Sequence, residues 1–359
     1  MNNTILQMRG ISKEFPGVLA LDNINFDLSK GEVHVLFGEN GAGKSTLIKI
    51  ISGALEKTSG TIIIDGQSFK IKNPKHAIQL GIGTIYQELN LVPELTVAEN
   101  LFLGREPSTK GGWVDNQQIN EKTTEILLNL GVNVDPNLKI SGLSIAMRQM
   151  TEISKAISMD CRILILDEPT SALTWQEIEQ LFKIIRKLKQ ENVAIIYISH
   201  RIEEIFEIGD RVTVLRDGKV VGTKNIKNTN QSELIQMMVN RELKEFYPKR
   251  TVKIGKESLR VEGLSRKKEL EDINFAAHRG EILGLTGLMG SGRTELAMAI
   301  FGVNSIDGGK IYVHGRSYDI NFPRKAMQLG LGYLPEDRQL QGLVLKLSLA
   351  ENISLTDLE

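Results

Sequence analysis

A glycine-rich stretch near the start of the chain carries the residue types that hold phosphate. The segment GENGAGKS (residues 38–45) fits the phosphate-loop pattern: its glycine-rich part runs from Gly38 to Gly43, and Lys44 and Ser45 follow. Such glycines let backbone N–H groups curl around a β-phosphate at a helix N-terminus, while the lysine neutralises the β- and γ-phosphates and the serine hydroxyl faces Mg²⁺. The residues expected to contact nucleotide here are Gly38, Glu39, Asn40, Gly41, Ala42, Gly43, Lys44, Ser45 and Thr46. The sequence therefore predicts a site for ATP and Mg²⁺.

Two adjacent carboxylates follow a later apolar run. The run RILIL precedes Asp167 and Glu168. A carboxylate at the C-terminal end of a buried strand can hold the water shell of Mg²⁺, and its neighbour can polarise an attacking water. Acidic residues at the end of a strand are commonly just exposed to solvent. The two carboxylates therefore indicate a nucleotide site only in combination with Lys44. We expect Asp167 to serve the metal and Glu168 to serve catalysis.

Strands and helices must position these groups. The runs EVHVLF (residues 32–37), RILIL and VAIIYIS read as buried strands, and STLIKIISGA reads as the helix after the phosphate loop. The segment TWQEIEQLFKIIRKLKQ predicts a helix with one apolar face formed by Ile178, Leu181, Phe182, Ile185 and Leu188. Strands that are apolar on both faces and alternate with helices predict an α/β core with a largely parallel sheet.

The chain repeats itself at a long period. Gly38 matches Gly287, an offset of 287 − 38 = 249, and TVAENLFL (residues 96–103) matches SLAENISL (residues 348–355) after three inserted residues. A period this long indicates a duplicated domain rather than a solenoid. We expect a first copy over residues 4–245, a linker over residues 246–257, and an incomplete second copy over residues 258–359.

Further motifs resemble those of one family. LSIAMRQ (residues 143–149) looks like the signature motif of ATP-binding-cassette proteins, in which Ser144 would contact nucleotide. Phe15 resembles the aromatic residue that stacks on adenine, Gln87 the Q-loop glutamine, SALT after Pro169 the D-loop, and His200 the switch histidine. The resemblance implies a phosphate-loop NTPase fold of the ATP-binding-cassette type. It implies Gln87 as a catalytic residue and metal ligand, and it implies that His200 contacts the γ-phosphate.

The resemblance narrows to one group within that family. FPGVLALDNINF, YQELNLVPELTVAENLFLGRE, EPTSALTWQEIEQLF, GLMGSGRTEL and GYLPEDRQLQGL together resemble the twin-cassette ATPases of bacterial monosaccharide importers, of the ribose, xylose, arabinose and galactose type. This resemblance implies ATP hydrolysis that drives a membrane permease, with an extracytoplasmic sugar-binding protein as an indirect partner. It implies a peripheral location on the cytoplasmic face of the membrane. Residues 87–142 should include the surface that receives a coupling helix of the permease.

Several departures from the family pattern should fall in one composite site, because cassettes of this family pair head to tail. Arg293 replaces the phosphate-loop lysine in the second copy, RKKEL (residues 266–270) offers no aromatic residue, and Glu336 stands opposite Gln87. In the first-copy signature, Ala146 and Met147 replace glycine and glutamine, and we expect the Ala146 Cβ to hinder close approach to a γ-phosphate. One site should therefore hydrolyse ATP, while the other binds nucleotide weakly or serves as a structural face. The working site needs a signature from a second cassette or a second copy.

The composition limits which partners and which cellular compartment fit this chain. Forty-four basic residues balance forty-four acidic ones, which argues against nucleic acid as a partner. A single cysteine, Cys161, excludes an internal disulfide and suits a reducing compartment; we interpret it and Trp113 as structural. The start of the chain lacks a signal segment, and no apolar run spans a bilayer. The competing interpretations are a cassette protein without a transporter, a nucleoside importer ATPase, and a fragment that binds nucleotide without turnover.

Overall fold

The structure, a computed structural model, describes residues 3–86, 89–109, 111–171, 173–239, 252–267, 269–288, 290–335 and 341–357. The chain divides into two compact units, Met1–Phe246 and Tyr247–Glu359, here called unit 1 and unit 2. Among the described residues, no helix combines the length and apolarity that crossing a bilayer requires.

Unit 1 alternates strands with helices along most of its length. In chain order its elements are β1 (Thr4–Phe15), β2 (Val18–Ser29), β3 (Val33–Phe37), α1 (Lys44–Ile51), β4 (Ser59–Ile64), β5 (Gln67–Phe69), α2 (Pro74–Gln79), β6 (Ile82–Ile85), α3 (Val97–Phe102), α4 (Asn116–Leu130), α5 (Ile145–Ile157), β7 (Ile163–Asp167), α6 (Trp175–Gln190), β8 (Ala194–Ile198), α7 (Ile202–Ile208), β9 (Arg211–Arg216), β10 (Lys219–Asn225) and α8 (Gln231–Val239). The three predicted strands and both predicted helices are present, so the α/β prediction is confirmed.

A six-stranded sheet forms the centre of unit 1. Its order is β10-β9-β3-β8-β7-β6, and every pairing is parallel except that of β9 with β10. Alternate residues of each strand enter two hydrophobic clusters: Val35 and Tyr197 face one, whereas Leu36 and Ile196 face the other. Burial on both faces explains why these strands read as continuous apolar runs. The predicted parallel sheet is confirmed.

The two clusters lie under different layers. One contains the apolar face of α6 together with residues of α3, α4 and α5. The other contains α1 and a four-stranded antiparallel sheet of order β2-β1-β4-β5. All five residues predicted for the apolar face of α6 are buried. The parallel sheet therefore presents its carboxyl ends between an antiparallel layer and a helical layer.

An ion-pair cluster fastens the antiparallel sheet to β3. The Arg211 guanidinium donates to both carboxylate oxygens of Asp27, at 2.7 and 3.1 Å, and to Glu32 Oε1 at 3.2 Å. The hydrogen bond from Arg211 holds the pKa of Asp27 below its ordinary value, against the opposing effect of partial burial. Glu32 immediately precedes β3, so this cluster fixes the start of the strand that leads into the phosphate loop.

Unit 2 repeats the antiparallel layer of unit 1. Its elements are β11 (Glu257–Arg266), β12 (Leu270–His278), α9 (Arg293–Ile300), β13 (Gly308–Val313), β14 (Arg316–Tyr318), α10 (Pro323–Gln328) and α11 (Leu349–Ser354), and its sheet has the order β12-β11-β13-β14. The counterpart of β3, at residues 282–286, is not a strand, and Ile282 is 97% exposed. In unit 1, by contrast, β3 is paired on both sides, by β8 and β9.

The helices α3 and α11 share one local design in two different surroundings. Each has a capping box, from Thr96 with Glu99 and from Ser348 with Glu351. In each an asparagine clamps the preceding turn: the Asn100 side chain accepts from Val92 N–H at 2.8 Å and donates to Val92 O at 3.1 Å and Thr96 O at 2.9 Å. Asn352 makes the corresponding bonds. Yet α3 is buried, whereas no residue of α11 is.

This pair makes a direct prediction about stability. Asn100→Ala should lower the free energy of unfolding by about 2–4 kcal/mol, because the fully buried Asn100 amide is lost and two partly buried backbone groups of Val92 lose their partner. The matched variant Asn352→Ala should cost less than about 1 kcal/mol, because water can replace the lost bonds. Urea unfolding followed by circular dichroism measures both. Equal losses, or a larger loss for Asn352→Ala, would contradict the argument.

Candidate functional site

The phosphate loop connects β3 to α1 and depends on glycine at two positions. A Cβ on Gly38 would lie 2.2 Å from the Leu215 carbonyl oxygen of β9. Gly43 has a φ of +103°, and its Cβ would lie 2.7 Å from Leu21 Cδ2. Side chains at these positions would either collide with backbone or force an unfavourable conformation. The loop therefore follows a fixed path between β9 and the β1–β2 hairpin.

Lys44 lies inside this loop. The residue is only 7% exposed, and its ammonium donates to Gly38 O at 2.7 Å and Glu39 O at 2.9 Å. Burial lowers the pKa of Lys44, while the carboxylates of Glu168 and Asp167 raise it. Two carboxylates thus stabilise a cation held at the base of the loop. Ser45 and Thr46 follow on the first turn of α1, Ser45 on its exposed surface.

Asp167 and Glu168 lie at the carboxyl end of β7. Burial and the adjacent Glu168 carboxylate raise the pKa of Asp167, against the effects of Lys44 and Lys49. Glu168 has a φ of +48°, which is unusual for a residue with a side chain, and its N–H donates to Ile198 O at 3.1 Å. Such strained residues concentrate at functional sites, where the surrounding structure holds them. The end of β8 holds Glu168 in this conformation.

His200 completes the cluster. Its Nδ1 lies 3.3 Å from Glu168 Oε2, and its side chain is 57% exposed. A cavity of about 550 Å³ is lined by Phe37, Gly38, Glu39, Asn40, Glu168, His200 and Met238. The structure therefore brings the phosphate loop, Glu168 and His200 onto one cavity that is open to solvent. This arrangement can bind a phosphate chain and place a carboxylate and an imidazole beside it.

Met238 was missed by the sequence argument. It lies near the end of α8, whose path is fixed by a bond from Arg216 Nη1 to Met237 O at 2.8 Å. The only sequence signal was the four-residue spacing of Leu234 and Met238 on one helix face, which does not indicate a cavity.

Ser144 and Phe15 are predicted site residues that lie outside both the cavity lining and the phosphate loop. Ser144 is the N-cap of α5, where its hydroxyl accepts from Met147 N–H at 3.3 Å. Phe15 ends β1 at the tip of a hairpin, 38% exposed, and the Lys13 ammonium lies 5.0 Å from its ring centroid. The returning strand of that hairpin contacts Gly43 through Leu21. Base stacking by Phe15 and nucleotide contact by Ser144 remain predictions.

The expected obstruction by Ala146 is wrong. Ala146 is 3% exposed, and its side chain belongs to the core between α5 and the sheet. Ile145, which is 51% exposed, carries the side chain that faces solvent at the helix start. The reason is helical phase: with Ser144 as the N-cap, the second helical residue points inward and the first points outward. Ile145 is therefore the residue whose side chain is exposed at this end of α5.

Gln87, Glu336 and Ala172 of the D-loop lie outside the described residues. Asn90 is bonded to α5, because Lys155 Nζ donates to Asn90 O at 3.3 Å. Beside it, burial raises the pKa of Glu152. The signature helix and the segment after residue 87 therefore contact each other directly.

The second phosphate loop also enters its helix through a glycine in the left-handed conformation, but an arginine takes the place of the lysine. Gly292 precedes α9 with a φ of +86°, as Gly43 precedes α1. Arg293 is exposed, whereas Lys44 is buried in its loop. The shortened hairpin has an ion pair from Arg266 Nε to Glu269 Oε2 at 3.2 Å, beside a cavity of about 580 Å³. Among the described residues, no aromatic side chain lines that cavity. Unit 2 therefore differs from unit 1 both in the cation of its phosphate loop and in the residues of this hairpin.

Comparisons with known proteins agree with this geometry. The sequence profile of the family described as ABC transporter matches residues 21–171 and 270–355. The chain is 50% identical over 355 residues to the ribose import ATP-binding protein RbsA 1 of Rubrobacter xylanophilus, covering 99% of this chain and 71% of that protein. It is 48% identical over 356 residues to the ribose import ATP-binding protein RbsA of Geobacillus kaustophilus, covering 99% of this chain and 72% of that protein.

A solved structure matches unit 1 in fold. The crystal structure of an ATP-binding cassette of an ABC transporter, in its ADP conformation, superposes with a TM-score of 0.58 at 26% identity. The match covers 65% of this chain and 98% of that one. One complete cassette of that kind therefore corresponds to about two thirds of this chain.

Proposed function

Because this chain belongs to the ABC transporter family, we propose that it is the ATP-binding and ATP-hydrolysing subunit that energises import of a monosaccharide through a membrane permease. The family resemblance predicted from the sequence is confirmed. One observation carries the proposal: Glu168 and His200 line one cavity together with Gly38 and Glu39 of the phosphate loop, whose carbonyls accept from the Lys44 ammonium. The relatives named above are ribose import ATP-binding proteins, which supports a monosaccharide as the transported substrate.

The phosphate chain of ATP is held by unit 1. Backbone N–H groups of the loop and the Lys44 ammonium bind the β- and γ-phosphates, and Phe15 stacks on the adenine base. The charge of Lys44 is already desolvated in the protein, so its attraction to phosphate is stronger than in water. Gln87 lies outside the described residues; by the family resemblance it would help to hold Mg²⁺ and the attacking water.

Mg²⁺ fits the donor groups at the edge of this sheet. Asp167 ends β7 next to Glu168 and close to the phosphate loop, so two carboxylates are available where a divalent cation would add positive charge. Ser45 and Asp167 would hold the ion, and Mg²⁺ usually takes one or two protein oxygens besides phosphates and waters. When bound, it would neutralise charge on the β- and γ-phosphate oxygens.

Glu168 orients and deprotonates the attacking water. Its carboxylate lines the cavity at a fixed position, because its backbone N–H is bonded to Ile198 O. His200 lies within 3.3 Å of that carboxylate and contacts the γ-phosphate as its charge develops. Proton transfer from water to Glu168 and stabilisation of charge by His200 and Lys44 are the two contributions of this cavity.

Unit 1 supplies half of a composite site and needs a partner for the rest. Ser144 and the N-terminus of α5 face a nucleotide held by a second cassette or a second copy, where Ile145 restricts close approach. The helical layer that follows Gln87 receives the permease, and the sugar-binding protein acts through that permease. The protein is thereby attached to the cytoplasmic face of the membrane.

Nucleotide stoichiometry tests this assignment. Isothermal titration with MgATP should give one site per chain, and Arg293→Ala should leave its affinity unchanged within about twofold, since the loss of a side chain that contacts no ligand costs little binding energy. Arg293→Ala is informative because a functional second loop would lose a phosphate contact. Two equal sites, or a large loss of affinity in Arg293→Ala, would refute the division of labour between the two loops. Co-purification with an integral permease tests the transport role.

A further inference from the structure

A buried hydrogen-bond network lies beneath His200, and none of the roles above uses it. Its centre is Glu204, which is 2% exposed on the first turn of α7. Glu204 Oε2 accepts from Tyr197 Oη–H at 2.8 Å and from Ser199 Oγ–H at 2.7 Å. Glu204 Oε1 lies 3.6 Å from Arg201 Nη1. A carboxylate this deeply buried needs such partners to offset its lost hydration.

The network closes around His200 because its members flank that residue in sequence. Ser199 precedes it and Arg201 follows it, and Arg201 N–H donates to Ser199 Oγ at 2.9 Å. In an ordinary capping box, the glutamate three residues after the N-cap accepts directly from the N-cap N–H. Here Arg201 is the N-cap and Glu204 stands three residues later, but the Ser199 hydroxyl lies between them. The carboxylate therefore holds both neighbours of His200.

Tyr197 also donates to Glu204 Oε2, but it is not adjacent to His200 in the sequence. Burial, the charge of Glu204 and the hydrogen bond to it raise the pKa of Tyr197, so its hydroxyl stays protonated and donates. Tyr197 lies inside β8, and its backbone is paired with the neighbouring parallel strands. Two hydroxyl donors thus share one acceptor, but only Ser199 connects that acceptor to the turn that carries the imidazole.

We propose that Glu204 is the positioning residue for His200: through Ser199 and Arg201 it fixes the turn that keeps the imidazole beside Glu168. Its consequence for ATP hydrolysis rests on the proposed function. The consequence for the placement of His200 does not, because the 3.3 Å separation between His200 Nδ1 and Glu168 Oε2 exists without nucleotide. A misplacement of about 1 Å in a catalytic group can reduce a rate about 100-fold.

Two single-hydroxyl variants separate positioning from a general contribution to the core. Ser199→Ala and Tyr197→Phe each remove one buried hydroxyl bonded to Glu204 Oε2. If Glu204 only stabilises the fold, the two variants should affect His200 equally. If Glu204 positions His200, only Ser199→Ala should displace it. Ser199→Thr keeps the hydroxyl and should restore the original placement.

Nuclear magnetic resonance of the full chain labelled in histidine provides the readout. The chain has five histidines, so His200→Gln assigns the His200 imidazole signal, and Glu168→Gln gives the shift expected when the carboxylate partner is lost. We expect Ser199→Ala to move the signal towards that reference position and Tyr197→Phe to leave it in place. Glu204→Leu, which fills the same space without an acceptor, should act as Ser199→Ala does. An unmoved signal in Ser199→Ala and Glu204→Leu, or equal displacement in Ser199→Ala and Tyr197→Phe, overturns the proposal.

Failure of the proposed function would be visible separately. These spectra are recorded without nucleotide, whereas binding of MgATP to the unmodified chain is measured by titration. A chain that binds no MgATP yet shows the expected displacement would refute the ATPase assignment and keep the positioning role. A chain that binds MgATP but shows no displacement would keep the nucleotide-binding assignment and refute the positioning role of Glu204.

Discussion

Glu168→Gln should reduce steady-state MgATP hydrolysis by about 10²–10⁴-fold, the contribution typical of a positioned general base. The carboxylate lines the cavity beside His200, and its strained backbone is held by Ile198 O. Binding of MgATP should persist, because the amide keeps the size of the side chain and the phosphate loop is untouched. Loss of turnover with retained binding is therefore the expected result.

The control for this experiment is Glu179→Gln. Glu179 is an exposed residue of α6, and its substitution removes the same charge at a position that does not line the catalytic cavity. Its turnover should match that of the unmodified chain. Hydrolysis by Glu168→Gln at the rate of the control would exclude Glu168 as the base, and equal losses in both variants would point to a global effect of charge.

Lys44→Ala should weaken MgATP binding by about 30-fold to 4,000-fold, because removal of one member of a buried charge pair costs about 2–5 kcal/mol. The ammonium lies at the base of the loop, with its contacts to Gly38 O and Glu39 O already made. Those carbonyls would remain without their cation and would repel phosphate. Titration with MgATP measures the loss directly.

Two variants sharpen that result. Lys183→Ala removes an exposed cation from α6, at a position that does not line the catalytic cavity, and should leave affinity unchanged. Lys44→Arg places in unit 1 the residue found at position 293 and should bind more weakly than the unmodified chain, because a planar guanidinium does not replace a compact ammonium. Full affinity in Lys44→Ala would mean that nucleotide, if bound, is held elsewhere.

The sequence predicted those parts of the site that depend on local pattern. The phosphate loop, the strand before Asp167 and the apolar face of α6 all follow from residue type and spacing within one element. Ala146 shows the limit of this reasoning. A motif gives the order of residues, but which of them faces solvent depends on where the helix begins.

Glu204 and Met238 could not be found from the sequence for a different reason. Met238 matters because it lines a cavity with segments distant in the chain. Glu204 matters because it bonds to a turn whose geometry is set by packing. An acidic residue in the first turn of a helix is ordinarily a solvated partner of the helix dipole, so Glu204 gave no signal of burial. The exposure of α11 was equally hidden, since its sequence is close to that of α3.

The two copies of this capped helix separate local folding signals from tertiary ones. The capping box and the asparagine clamp form in both α3 and α11, although only α3 is buried against other elements. These signals are therefore short-range and can act as soon as about ten residues are available, before distant contacts close. In a chain growing from its N-terminus, the helix would be shaped first and its apolar side covered afterwards.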